Sequence, residues 1–339
     1  MAFDSALARE TASPTASLDR LVAATAQDMD AVNRLILSRS DSPVEMVPEV
    51  ASHLIDAGGK RLRPMLTLAA AKGFDASGEN HIRFAAAVEF MHNATLLHDD
   101  VVDESDMRRG RPAARTIWGN QASVLVGDFL LGQAFLMMVE SRDLDALGVL
   151  SRAAAVIAEG EVFQLAKARD LDATEEDYTR IIHAKTATLF EAATEVGAIA
   201  GGASAAERKA LADYGRALGM AFQLVDDVLD YGGVNGALGK NTGDDLREGK
   251  MTLPVILALG GATAEERDTL AAALGNRDAD RAVLDAVLAI FTRHDTLART
   301  MAEAERHAQA ARDALDTLPP SPIRDILYAV PEFCVSRAY

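Results

Sequence analysis

The chain has 339 residues, a formal net charge of −17, 49% hydrophobic residues and only 5% aromatic ones. That much apolar side chain supports a sizeable core and excludes a disordered chain. The acidic balance argues against a nucleic-acid partner, which needs clustered Lys and Arg to meet phosphates.

Abundant Ala and Leu with few aromatics favour helices over sheets. Residues 1–17 are small and polar, with Pro14 among them, and are expected to be a flexible N-terminus. From Leu18 to Leu37 apolar residues recur at Leu18, Leu21, Val22, Leu35, Ile36 and Leu37 between polar ones, as in an amphipathic helix. Ser42-Pro43 and Pro48 mark a break, and the next helix should end near Gly58-Gly59. Pro64 suits the first turn of a helix running through Leu66 to Ala71. Further helices are expected at 81–103, 120–140, 144–168, 175–201, 206–231, 252–260, 264–274, 278–292 and 295–317. No β-branched alternation runs long enough for a sheet, and no Pro-, Gly- or Ser-rich linker divides the chain. Residues 18–339 therefore read as one all-α domain.

Cys334 is the only cysteine, so no intrachain disulfide is possible and a reducing compartment is expected. The first twenty residues lack an apolar segment, and Asp4, Glu10 and Asp19 among them weaken a transit-peptide reading. The most apolar run, Ala122 to Val139, carries Asp128 and Gln133 and reads as a buried core helix, not a membrane span. The expected location is the cytoplasm.

Two short acidic clusters carry the chemistry: Asp99-Asp100-Val101-Val102-Asp103 and Asp226-Asp227-Val228-Leu229-Asp230. Both read D-D-x-x-D inside apolar, helix-forming sequence. Residues four apart on a helix share a face and are separated by ~6 Å of rise. Like charges so placed repel unless a cation lies between them. Hard Mg²⁺ takes oxygen ligands and is commonly shared between carboxylates and phosphates, so two such helices suit a Mg²⁺–diphosphate clamp. Two solvated acidic faces are the plainer reading, and the duplication in apolar surroundings argues against it.

Positive charge stands close by. Gly58-Gly59-Lys60-Arg61-Leu62-Arg63-Pro64 sets three cations beside two glycines just before a helix, where backbone can approach an anion. The Walker A pattern is absent. Met107-Arg108-Arg109-Gly110-Arg111-Pro112 follows the first cluster directly, and Arg suits bidentate phosphate binding. After the second cluster, residues 232–250 form a glycine-rich stretch expected to be a mobile loop, with Lys240 and Lys250 placed to close over an anion.

Taken together, GGKRLRP (58–64), EFMHNATLLHDDVVDESDMRRGRPA (89–113), GDFLL (127–131), GEVFQL (160–165), KTATLF (185–190), FQLVDDVLDY (222–231) and GKNTGDDLREGKMTLP (239–254) resemble the trans-isoprenyl diphosphate synthases. The resemblance is strongest to the long-chain polyprenyl diphosphate synthases of quinone biosynthesis, octaprenyl and decaprenyl among them, and runs over nearly the whole chain. It implies an all-α isoprenoid synthase fold, helices around a deep central cavity, and a homodimer. It also implies Mg²⁺ as cofactor, with Asp99, Asp103 and Asp226 as direct ligands and Asp100, Asp227 and Asp230 as further ligands or holders of metal-bound water. Arg108, Lys185, Thr186, Gln223, Lys240 and Lys250 resemble the allylic diphosphate set, farnesyl or geranyl diphosphate being the expected primer. Lys60, Arg63, His92 and Arg109 resemble the separate, metal-free site for isopentenyl diphosphate; Arg61 shares that motif without a defined role. A histidine on an apolar helix is commonly a core residue, but His92 stands two turns before Asp99 on a similar face and is read as a ligand. His98 is read as structural.

The resemblance further implies that an allylic carbocation forms as diphosphate leaves, and that isopentenyl diphosphate attacks it without any covalent nucleophile from the protein. Ala94 and Thr95, five and four residues before Asp99, are small where short-chain members carry bulky aromatics, so a long product is expected. Met91 and Val88 lie further down the same face, and Leu189 and Phe190 are candidate tunnel residues. Each added isoprene unit would bury about five carbons, roughly 3–4 kcal/mol, so tight product retention and slow release are expected, with at most transient membrane contact at release. The alternatives are a geranylgeranyl or other medium-chain synthase, a class I terpene cyclase and a non-catalytic partner subunit. GGKRLRP and the intact second cluster argue against the last two.

Overall fold

The computed structural model describes residues 14–74, 78–232 and 242–337. Helices run in chain order as α1 (Pro14–Arg39), α2 (Met46–Asp56), α3 (Leu62–Lys72), α4 (Asn80–Val102), α5 (Ala114–Glu140), α6 (Leu144–Lys167), α7 (Glu175–Ile182), α8 (Thr188–Gly201), α9 (Ala205–Gly232), α10 (Asp244–Glu248), α11 (Leu253–Gly261), α12 (Ala264–Ala273), α13 (Arg281–Arg293), α14 (Thr296–Leu315) and α15 (Pro322–Ser336). The chain is all-α, as composition and periodicity predict.

Local chemistry sets many of the boundaries. Asp143 accepts from the Ala146 N–H and opens α6, while Thr174 with Asp177 and Thr263 with Glu266 form capping boxes on α7 and α12. Ser321 caps α15 directly before Pro322. α1 starts at Pro14, inside the segment expected to be flexible up to residue 17.

Four features depart from the sequence reading. A minimal antiparallel ribbon pairs β1 (Met107–Arg108) with β2 (Arg111–Pro112), where no strand was expected. The helix expected over 175–201 is interrupted by a π-helical turn at His183–Ala187, in which the Thr188 N–H bonds back to the His183 carbonyl. α10 and α15 were not foreseen. α5 is not buried on all sides: one face packs on α4, and the other exposes Ile117, Leu125, Leu136 and Val139. By length and composition alone α5 is apolar enough to cross a membrane.

Three apolar cores organise the bundle. One joins α2, α4, α5, α6 and α8 around Phe90, Met91, Leu130 and Met137. A second gathers α9, α11 and α13 around Leu224, Val255 and Phe291. The third packs α3, α9, α14 and α15 around Leu66, Tyr214 and Leu315. α4 and α9, the two helices bearing D-D-x-x-D, both pack against α8.

Candidate active site

The first cluster closes α4. Asp99 and Asp100 lie in its last turn and Asp103 is its C-cap, with Glu104 beyond in the left-handed region (φ 55°). The ribbon then turns the chain back, so that Arg108 Nε donates to Asp100 Oδ1 at 2.9 Å and Nη2 donates to the same oxygen. Asp100 is 1% exposed. Burial pushes its carboxyl up and works against the charged Arg108, but Asp100 and the neighbouring aspartates outweigh that and raise the guanidinium. Arg108, expected on the allylic diphosphate, is here the internal counter-ion of Asp100.

Two lysines attend the outer carboxylates. Lys185, presented by the π-helical turn, lies 2.8 Å from Glu161 and 3.6 Å from Asp99. Gly160 permits that approach of α6, since a Cβ there would stand 2.5 Å from the Ala184 Cβ. Lys250 lies 2.8 Å from Asp103, 2.5 Å from Glu248 and 3.8 Å from Asp245. Burial works against both ammonium groups. The carboxylates more than offset it, raising Lys185 above its ordinary value and Lys250 well above it.

The second cluster sits within α9. Asp226 pairs with Arg337 at 2.8 Å, and Asp230 accepts from the Asp245 N–H at 3.2 Å. Asp227 accepts from the Tyr178 hydroxyl at 2.7 Å and from Gln223 Nε2 at 2.8 Å, while the Thr186 hydroxyl donates to Gln223 Oε1 at 2.8 Å. Burial, with the nearby Asp245 charge, pushes Asp227 up to about 8. The segment 245–250 links the clusters, since the Asp245 amide bonds Asp230 and Lys250 meets Asp103.

At the GGKRLRP turn Arg63, His92 and Arg109 come together, while Lys60 turns toward Phe333 and Arg337. Arg63 Nη1 is 3.4 Å from His92 Nε2, and its guanidinium lies over the Phe190 ring at 4.3 Å. Burial lowers Arg63 to about 10, and burial with Arg63 and Arg109 drives His92 well below its usual range, so its ring is neutral and accepts. Arg109 reaches the Gly58 carbonyl, and Lys60 lies over Phe333 at 4.5 Å. Arg61 gains a role: from a left-handed backbone (φ 45°) it reaches Asn33 on α1 and ties the turn to the bundle. Glu89, buried behind the set, is pushed up by burial and held back by Arg61, Arg63 and Arg109.

On the chain-length side, Ala94 and Met91 are buried in one core with Val88 and Leu189. Thr95 is half-buried and its hydroxyl donates to the His92 carbonyl at 2.8 Å. Phe190 parts from Leu189 and packs toward Arg63 and Phe222. His98 bonds the Val124 carbonyl at 3.1 Å, a structural role as expected, and Cys334 is buried with its thiol pushed up to about 12 by burial. Lys240 and the glycine-rich stretch 233–241 lie outside the described residues.

Sequence reasoning assigned no role to Glu161, Tyr178, Asp245, Glu248, Glu89 or Arg337. Glu161 lay in the quoted GEVFQL and Glu89 in EFMHNATLL; Asp245 and Glu248 lay in GDDLREGK. Arg337 had no signal, since it meets Asp226 only through the unforeseen α15.

Among the described residues no three His, Cys, Asp or Glu side chains converge into a closed metal cage. The donors present are Asp99, Asp103 and Asp226, hard carboxylates with side chains 16%, 12% and 36% exposed, each beside a cation of the chain. That set fits Mg²⁺, which keeps several waters and is bound through a few carboxylates plus substrate phosphates.

An all-helical bundle with paired aspartate clusters and a separate cationic turn defines a prenyltransferase of the isoprenoid synthase fold. The polyprenyl synthetase family model matches residues 44–291, and the chain belongs to that family. It is 46% identical to the octaprenyl diphosphate synthase of Escherichia coli (strain K12), over 95% of this chain and 99% of that protein. A polyprenyl synthase from Caulobacter crescentus CB15, complexed with calcium and isoprenyl diphosphate, superposes with TM-score 0.91 at 48% identity, covering 95% of this chain and 98% of that one. A decaprenyl diphosphate synthase from Rhodobacter capsulatus gives TM-score 0.90 at 50% identity, covering 95% and 99%.

Proposed function

We propose that this chain condenses isopentenyl diphosphate repeatedly onto an allylic diphosphate, farnesyl or geranyl, to make an all-trans polyprenyl diphosphate of octaprenyl to decaprenyl length for quinone side chains. One observation carries the reading: the cations fall into two sets with different partners, Lys185 and Lys250 on carboxylates, and Arg63 and Arg109 with neutral His92 and the glycine turn that also bears Lys60. A reaction joining two diphosphates needs two such places. The octaprenyl and decaprenyl synthases to which the chain is similar support the product range.

Mg²⁺, when bound, supplies charge neutralisation to the departing diphosphate. Lys185 and Lys250 share that work and orient the allylic diphosphate, with Thr186 and Gln223 beside them. Lys60, Arg63 and Arg109 hold isopentenyl diphosphate, and His92 accepts from Arg63 to fix the guanidinium plane. The apolar wall of Ala94, Met91 and Val88 keeps water from the cation and receives the growing chain. The exposed apolar stripe Ile117, Leu125, Leu136 and Val139 on α5 supports a homodimer through this face, and we place the enzyme in the cytoplasm with transient membrane contact at product release.

Incubation with farnesyl diphosphate, labelled isopentenyl diphosphate and Mg²⁺, followed by chromatography of the chains, tests the reading. Chains of eight to ten units are expected; twenty-carbon products point to the medium-chain alternative. Turnover of farnesyl diphosphate without isopentenyl diphosphate indicates a cyclase, and inactivity relieved by a partner chain a regulatory subunit. Ala94→Phe should shorten the product, and an unchanged chain length would remove Ala94 from the growth path.

A further inference from the structure

Glu161 sits beside the first aspartate cluster but in no part of the D-D-x-x-D pattern. Its Oε2 is 2.8 Å from Lys185 Nζ, whereas Asp99 Oδ2 is 3.6 Å from the same ammonium. Its other oxygen, Oε1, is buried with no hydrogen-bond partner. The placement is built in from both sides. Gly160 lets α6 press against the backbone of Ala184 and Lys185, and the π-helical turn presents the lysine to that contact. Lys185 therefore has two carboxylates to choose from and lies closer to Glu161.

We propose that Glu161 is a positioning residue that holds Lys185 off Asp99 and so keeps Asp99 available to a divalent cation. Lys185 is already within ion-pair range of Asp99 at 3.6 Å; without the competing carboxylate the ammonium closes the remaining distance and hydrogen-bonds Asp99 directly. A charge-assisted hydrogen bond is stronger than the longer contact, and Glu161 no longer offsets the lysine's charge, so a metal competes less well for Asp99. Glu161 thus acts on metal binding through Lys185, without itself being a ligand. This rests on the reading of Asp99 as a metal-binding carboxylate.

The test is calorimetric titration of Mg²⁺ into the full chain in the presence of inorganic diphosphate, for wild type, Glu161→Gln, Lys185→Met and the double variant. Glu161→Gln should weaken Mg²⁺ binding about tenfold, because its neutral amide competes poorly for the ammonium. In the Lys185→Met background the same change should have less than about a twofold effect, since no ammonium remains to collapse onto Asp99. Steady-state kinetics should agree: half-saturating Mg²⁺ rises in Glu161→Gln while the KM for isopentenyl diphosphate stays unchanged. Equal loss of Mg²⁺ affinity in both backgrounds would overturn the proposal, because Glu161 would then act on the metal without the lysine. Unaltered affinity in Glu161→Gln would overturn it as well. Asp99→Ala is the control for the underlying reading: if it binds Mg²⁺ like wild type, the assignment of Asp99 fails first.

Discussion

The two D-D-x-x-D clusters share a sequence and differ in electrostatics. The first ends a helix and is attended by Arg108, Lys185 and Lys250. The second lies within α9, where Arg337 meets Asp226 and neutral groups meet Asp227. The contrast is sharpest at the middle aspartates. Asp100 is buried against a guanidinium, an ion pair; Asp227 is buried against a phenol and an amide and is pushed up to about 8. The motif fixes the donor atoms, and the neighbours fix which of them are charged.

The largest test removes the outer carboxylates. Asp99→Ala and Asp226→Ala should each lower turnover roughly a thousandfold or more, ~4 kcal/mol of barrier, with the helical circular dichroism intact. Near-normal turnover in either would mean that the clusters do not work as a pair.

Next comes the middle position. Asp100→Asn leaves the Arg108 guanidinium without its counter-ion and should cost about 2–3 kcal/mol in urea unfolding. That lies below the ~3–5 kcal/mol of a fully buried pair, because Arg108 keeps partial exposure and the amide oxygen still accepts. Asp227→Asn should not destabilise at pH 7 and should gain stability there, since burial raises the Asp227 carboxyl while the unfolded chain ionises freely, and an amide escapes that penalty. Equal losses at the two positions would erase the contrast.

The last test is a slope with pH. The folded-state value of Asp227 lies above its unfolded one, so the folded state holds the proton more tightly between about pH 4 and 8. Its stabilising contribution is complete below about pH 4 and is lost as pH rises through about 8. Unfolding midpoints in metal-free buffer should show wild type losing stability relative to Asp227→Asn over that window, and parallel curves would place Asp227 in its ordinary range.

Much of this was legible in the sequence. Apolar spacing located most helices, because one-sided burial imposes the 3.6-residue period, as along Met301, Ala304, Ala308, Ala311 and Leu315 of α14. α15 was hidden by Pro331 within it and by the Pro319-Pro320 pair before it, although Leu327, Val330 and Cys334 keep helical spacing. The ribbon escaped notice because two-residue strands leave no alternation to read. For the site, residue types were legible and pairings were not. Asp and Arg announce charge locally, but whether Arg108 meets a phosphate or Asp100 depends on a hairpin, and Lys250 meets Asp103 only through the tertiary fold.

The π-helical turn at His183–Ala187 has a consequence for how this chain tolerates change in length. A π turn amounts to one residue more than a regular helix would use, and one residue is ~100° of rotation. Deleting a single residue there would leave a regular helix whose flanks, α7 and α8, keep their faces, whereas the same deletion in the regular stretch of α8 would turn everything beyond it by that angle. Ala193 and Val196, now buried, would then leave the places they fill. The segment is thus a frame marker. A one-residue deletion inside it should leave stability less changed than the same deletion within 189–192, while lowering activity through loss of the bulge that presents Lys185 to Glu161 and Asp99.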